Sequence, residues 1–297
     1  MSVTTLKRIA LIAMIVNYIG TFITGAPVWF QWIGRLAAPL FFYCMAWSMD
    51  KTHDKKAYFK RLYFSSVGMA LLNLVLSIVA EKTGLITAVT SNIFATLFAG
   101  AFFIEILEYT RSHPKKGKRM LFSYIFWQIS IAGLWAALYE IVEVPYAVLN
   151  LFSAICGNAL TCEGAFLFVF MGAIFYYTKE DSRKLSIAYA VLCLVYFLNS
   201  AFGIWGRLFM LLGSDILVAL MEIMTGLVLW GASFRPLFDV YHMFHNDFQW
   251  MMIAALPLLM LCNGKRQREN SYQKYFYYIF YPAHIYLLWV LGVVVLG

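Results

Sequence analysis

A chain of 297 residues in which hydrophobic residues make up 62% and charged residues only 13% is not an ordinary soluble protein. Soluble domains average about 45–50% apolar and about 25% charged residues, whereas the mean hydropathy here is +0.73. The net charge of +8 does not point to nucleic acid, because the basic residues fall in short connectors between apolar runs, the bias of cytoplasmic membrane loops that also meet anionic lipid head groups. The composition predicts one all-α domain over residues 1–297, a polytopic membrane helical bundle.

In chain order, runs of roughly 20 apolar residues, the length a span needs, occur at 6–25, 28–49, 62–80, 85–107, 120–139, 159–177, 185–205, 209–232 and 275–296. The first has Lys7 and Arg8 ahead of an apolar core, with no clear small-residue cleavage site after it. It reads as a retained helix rather than a signal peptide. The connectors at 25–27, 81–84 and 140–145 lack basic clusters. Those around Lys51–Arg61, Arg111–Arg119, Lys179–Lys184 and Lys265–Arg268 are rich in them. This alternation places the N-terminus in the cytoplasm. The apolar stretch 145–177 is too long for one straight crossing and too short for three, which predicts one crossing plus a re-entrant piece near 145–157. A second re-entrant piece is expected near 248–262, or else residues 234–247 also cross. About nine to eleven spans follow. The five cysteines lie in or beside apolar runs without metal-ligand spacing and read as free thiols; no metal site is expected.

Charged and polar residues at membrane depth usually face a partner or a water-filled cavity. Arg35 lies in "QWIGRLAAPLFFY" between Gly34 and Pro39, either snorkelling to the interface or lining a polar interior. His284, in "YFYYIFYPAHIYLLWV", suits proton transfer or a structural hydrogen bond between helices. The nearby Tyr277, Tyr278 and Tyr281 read as an interfacial aromatic belt. Asn92 and Thr96 share a helix face with Gly100. Glu163 opens a helix near an expected break, and Glu105 reads as an ordinary interfacial charge. His242 and His245, three apart, have no ligand trio around them. No phosphate-binding loop, dinucleotide fingerprint or nucleophile elbow is present.

The stretches "IGRLAAPLF" (33–41), "YFKRLYFSS" (58–66), "SNIFATLFAG" (91–100), "NGKR" (263–266) and "FYYIFYPAHIYLL" (276–288) together resemble the TraX family of integral-membrane acyltransferase-like proteins. The resemblance implies a multi-pass bacterial inner-membrane protein that moves an acetyl or related acyl group from acyl-CoA to an amine or hydroxyl acceptor, such as a peptide N-terminus, a glycan or a cell-surface polymer. By carry-over, Arg35, Asn92, Thr96 and His284 would line the shared cavity, with Arg35 stabilising thioester charge and His284 or Tyr18 taking the acceptor's proton. Asn17, Asn92, Thr96 and Glu163 would position substrate, and Arg61, Lys265 and Arg266 would meet a CoA phosphate. The family's first helix carries an Asp-His pair in an "M-x-x-D-H-I" pattern. Here "MIVNYI" puts Asn17 and Tyr18 in those places. Losing a histidine base costs on the order of 10²–10⁴ in rate. The alternative is therefore a non-catalytic translocator, carrier or assembly partner on the same scaffold. The acceptor, the acyl chain and the oligomeric state stay open.

Overall fold

The computed structural model describes residues 1–84, 89–202, 240–265 and 271–295. Nine α-helices fill the first two stretches: α1 Val3–Phe22, α2 Trp29–Gly34, α3 Ala37–Lys51, α4 Lys55–Thr83, α5 Ile93–Ser112, α6 Pro114–Glu140, α7 Tyr146–Cys156, α8 Ala165–Thr178 and α9 Ser182–Phe202. Later come α10 Val240–His245, a 3-10 turn Gln249–Ala255, α11 Leu256–Met260 and α12 Ser271–Trp289, which runs into a π-helical end, Val290–Val295. Among the described residues, six helices are long and apolar enough to cross a membrane: α1, α4, α5, α6, α9 and α12. The chain is a multi-pass helical bundle. The expected spans at 209–232, part of 234–247, and Arg266 lie outside the described residues.

Three of the expected elements are broken or start late, each for a visible reason. The span at 28–49 is broken into α2 and α3 at Arg35–Leu36. Pro39 has no N–H for the Arg35 carbonyl, and its ring crowds that carbonyl. The Arg35 amide is shared between the Gln31 and Trp32 carbonyls, and the Leu36 amide bonds three residues back, to Ile33. The span read as 85–107 starts its helix only at Ile93, because Asn92 caps it and accepts from the Ala95 amide at 3.2 Å. The span read as 159–177 starts at Ala165, after a loop of left-handed backbone at Gly157, Gly164 and Ala165 itself.

The two suspected re-entrant pieces are short. α7 has 11 residues, roughly 16 Å at 1.5 Å per residue, about half a hydrocarbon core. Polar groups hold the loop that follows it: Gln128 of α6 accepts from the Ala159 amide at 2.6 Å and donates to the Gly157 carbonyl, and Asn158 donates back to the Gln128 carbonyl. Irregular backbone at membrane depth needs such internal partners. The 3-10 turn and α11 together cover Gln249–Met260 and pack on α9.

α1 packs on α2 and α3, α3 on α8, and α5 on α4, α6 and α8. Phe42 and Met45 of α3 wedge between Gly100 of α5 and Gly172 of α8, where a Cβ would meet both side chains within 3.4 Å. Small residues allow such close approach where lipid offers no hydrophobic drive.

The basic connectors meet at one end. Val3 donates its amide to the Lys265 carbonyl, Lys51 donates to the Gly264 carbonyl, and Lys179 pairs with Asp50 at 2.8 Å. Lys55 pairs with Glu105 at 2.7 Å at the same end.

Candidate active site

α1 presents Lys7, Leu11, Met14, Tyr18 and Thr21 at helical spacing along one inward stripe. Two cavities stack along it. The first, of ≈410 Å³, is lined by Lys7, Leu11 and Met14, the outer turns of α3, the start of α4 and the tyrosines of α12. The second, of ≈570 Å³, is lined by Met14, Asn17, Tyr18 and Thr21, the α2–α3 break, Glu163 and residues 246–249. From Lys7 to Thr21 the pair extends over roughly 20 Å at 1.5 Å per residue.

Arg35 stands in the wall of the second cavity. Its Nη1 donates to Gln249 Oε1 at 3.0 Å, its Nη2 to Asn17 Oδ1 at 3.5 Å and its Nε to the Gln31 carbonyl at 3.4 Å. The guanidinium also lies 4.9 Å from the Phe248 ring. A planar fork with five donors suits several acceptors at once, which a lysine does not. Gly34 makes the arrangement possible, because a Cβ there would fall 2.1 Å from Asn17 Oδ1. The α2–α1 contact that brings Arg35 to Asn17 admits no side chain at this point.

Glu163 and Asp247 face the same cavity and act on Arg35 electrostatically. A buried charge needs such counter-charge and hydrogen bonding. Glu163 is fixed from behind. Its Oε2 accepts from the Asn92 amide at 3.1 Å, and its carbonyl accepts from the Thr96 hydroxyl at 2.7 Å. Asn92 and Thr96 therefore hold Glu163 in place and do not line the Arg35 cavity as expected for substrate positioning. Glu163 and Asn17 do line it.

Tyr18 is buried and lines the cavity; its hydroxyl is within interaction range of Ser91 and Tyr281. His284 does not line either cavity. It lies behind Tyr18, ring centroids 5.6 Å apart and edge-on. Its Nδ1 lies 2.8 Å from the Phe280 carbonyl, which can only accept, so Nδ1 carries the proton and Nε2 the lone pair. Nε2 has no hydrogen-bond partner among the described residues. Tyr281 is not part of an interfacial belt: it is 3% exposed, and its hydroxyl accepts from the Ile93 amide at 3.2 Å. Burial at the junction of three helices overrides what a tyrosine-rich run suggests.

The first cavity is basic at its mouth and apolar within. Lys7, Lys51 and Arg61 line it with His53 and Asp54, while Leu11, Met14, Phe41, Met45 and Leu97 line its interior. Arg61 Nε is buried with no hydrogen-bond partner among the described residues. Lys51 lies 4.8 Å from the Trp47 ring and Lys7 5.5 Å from that of Tyr277. Lys265 does not line this cavity; its backbone pairs with Val3 at the same end.

A family model described as TraX protein matches residues 2–149. The chain belongs to the TraX family. No curated protein and no solved structure matches it. The TraX match covers α1 to α6 and the start of α7, so it includes Asn17, Tyr18, Arg35, Arg61, Asn92 and Thr96. It excludes "NGKR" and the last helix, which carry Lys265 and His284. The cavity draws on both parts. Glu163, Tyr196, Asn199, Asp247, Gln249 and Tyr281 complete the wall from beyond the TraX match. Sequence reading missed Asp247 and Gln249; the polar "NDFQ" just ahead of an apolar run is the signal that marks them.

Proposed function

We propose that this TraX-family protein is an acyltransferase of the bacterial inner membrane, with its N-terminus and basic end in the cytoplasm. It transfers an acetyl or related acyl group from acyl-CoA to an amine or hydroxyl acceptor at or across the membrane. The observation that supports this is the stacking of two unlike cavities along α1. One is basic at its mouth, suited to an anionic donor entering from the cytoplasm. The other is polar and holds a guanidinium, two carboxyls and several amides, suited to an acceptor.

In this scheme Lys7, Lys51 and Arg61 meet the donor's phosphates, and the thioester reaches the junction near Met14. The acceptor's nitrogen or oxygen attacks the thioester carbonyl. Negative charge gathers on the carbonyl oxygen, where Arg35 stabilises it. The carbon–sulfur bond then breaks, and the sulfur leaves with the proton as the CoA thiol. The acceptor's proton passes to the Tyr18 hydroxyl and, once that hydroxyl turns from Ser91 and Tyr281 towards the lone pair of His284 Nε2, onto His284; it returns through the Tyr18 hydroxyl to the leaving sulfur. Glu163 and Asn17 orient the acceptor.

The test is turnover of radiolabelled acetyl-CoA by purified protein in lipid nanodiscs. Arg35→Ala should lower it by about 10²–10³ and His284→Ala by about 10²–10⁴. Full turnover by His284→Ala removes that residue from the scheme. The second reading, a non-catalytic carrier, is favoured by Asn17 and Tyr18 standing where the family has Asp and His. It holds if the native chain neither binds nor turns over acetyl-CoA while the Asn17→Asp, Tyr18→His double variant does both.

A further inference from the structure

Met14, Ile93 and Tyr281 are the side chains that line both cavities. They form the partition a transferred group would have to pass. Met14 is unbranched and adaptable, and so offers little resistance. Ile93 is the first residue of α5, fixed by the helix it begins. Tyr281 is the largest of the three. Its ring meets that of Phe94 edge-on at 4.9 Å, and its hydroxyl takes the Ile93 amide proton at 3.2 Å. That amide belongs to a helix's first turn and has no acceptor within its own helix, so the hydroxyl satisfies a group that would otherwise lack one.

Pro282 follows directly, inside α12. It gives no N–H to the Tyr278 carbonyl and crowds it, which loosens the helix around Tyr281. A bulky ring on a loosened turn, held through its hydroxyl by the Ile93 amide and by the Tyr18 hydroxyl beside it, has the parts of a latch.

We propose that Tyr281 is the door between the two cavities. Latched to Ile93 it keeps donor and acceptor spaces apart, and turned away it joins them. The gap left by one tyrosine ring then limits the size of the acyl group that can cross. This rests on the reading of the cavities as donor and acceptor compartments, but the door itself can be tested without any acyl donor.

The test uses the full chain with its five cysteines replaced and a single cysteine introduced, at Thr21→Cys in the Arg35 cavity or Leu11→Cys in the basic cavity. The protein is reconstituted in vesicles, and a membrane-impermeant thiol reagent is applied from the side that labels Thr21→Cys. With Tyr281 present, Leu11→Cys should stay unlabelled from that side. Tyr281→Phe keeps the ring but removes the latch. It should raise labelling by about tenfold or more, the shift in open population expected from losing the hydroxyl's hydrogen bonds to the Ile93 amide and Tyr18. Tyr281→Ala should raise it further, with Thr21→Cys labelling unchanged. Equal labelling of both cysteines with Tyr281 in place, or no rise at Leu11→Cys in the Tyr281→Phe variant, overturns the proposal. Because tyrosine and phenylalanine have nearly the same shape, the phenylalanine variant decides the matter even where the alanine variant does not fold. Labelling as described with no acetyl-CoA turnover would leave the door standing and remove the acyltransferase reading.

Discussion

The Arg35 guanidinium reaches acceptors on three elements at once: Asn17 on α1, the Gln31 carbonyl on its own helix, and Gln249 on the 3-10 turn. Lysine has neither the planar fork nor the reach for all three. Arg35→Lys should therefore lose turnover nearly as fully as Arg35→Ala, while leaving the Asn17 and Gln249 amides underpaired at a cost of about 1–3 kcal/mol. Thermal unfolding beside acetyl-CoA turnover checks both. Gly34→Ala puts a methyl into the Asn17 side chain, an overpacking that costs about 1–3 kcal/mol and moves Asn17 from Arg35. It should lower turnover although residue 34 carries no chemistry. Arg35 was legible in the sequence because a charge in an apolar run is rare. Tyr281 was misread because tyrosines near a helix end look alike whether they face head groups or a buried amide. Asn92 and Thr96 both hold Glu163, but Asn92 does so through the backbone N–H of a helix cap while its side chain donates to the Ser66 carbonyl, which helical spacing alone does not show.

At the level of elements, hydropathy found the long helices because their apolar length is itself the signal. It missed the break at Arg35–Leu36, although Pro39, four residues on, is its physical cause. The loop between α7 and α8 hangs on Gln128, which serves Ala159 and Gly157 from α6. Gln128→Leu removes both bonds from a buried site, at about 1–3 kcal/mol for each group left unpaired. It should loosen Glu163 and speed hydrogen exchange in residues 157–164. At the basic end, the backbone N–H and ammonium of Lys184, with the backbone N–H of Arg183, hold the Asp181 carboxyl below the usual carboxylate range. A lowered folded-state value means that the support Asp181 gives the start of α9 is complete above its unfolded pKa of about 3.9. The support disappears as pH falls through the lower folded value. Hydrogen exchange at Arg183 and Lys184 should accelerate in that acid window, and Asp181→Asn should remove the pH dependence.

For the molecule as a whole, the charge pattern of the connectors anticipated that the basic loops would share one end, and Lys51, Lys179 and Lys265 do meet there. The stacked cavities were not legible, because they arise from packing between elements far apart in sequence: α1, the α2–α3 break, the Glu163 loop, the 246–249 segment and α12. The TraX match stops at residue 149, yet half of the Arg35 cavity comes from beyond it, so the C-terminal part is needed to close the site. The most direct test of the two-cavity arrangement is a cryo-electron microscopy map of the full chain with a non-hydrolysable thioether analogue of acetyl-CoA. Phosphate density beside Lys51 and Arg61, with the acyl end at Met14 and Tyr281 facing Arg35, is the expected result. Density for the analogue elsewhere, or Arg35 turned out among lipid head groups away from Asn17 and Gln249, would contradict it.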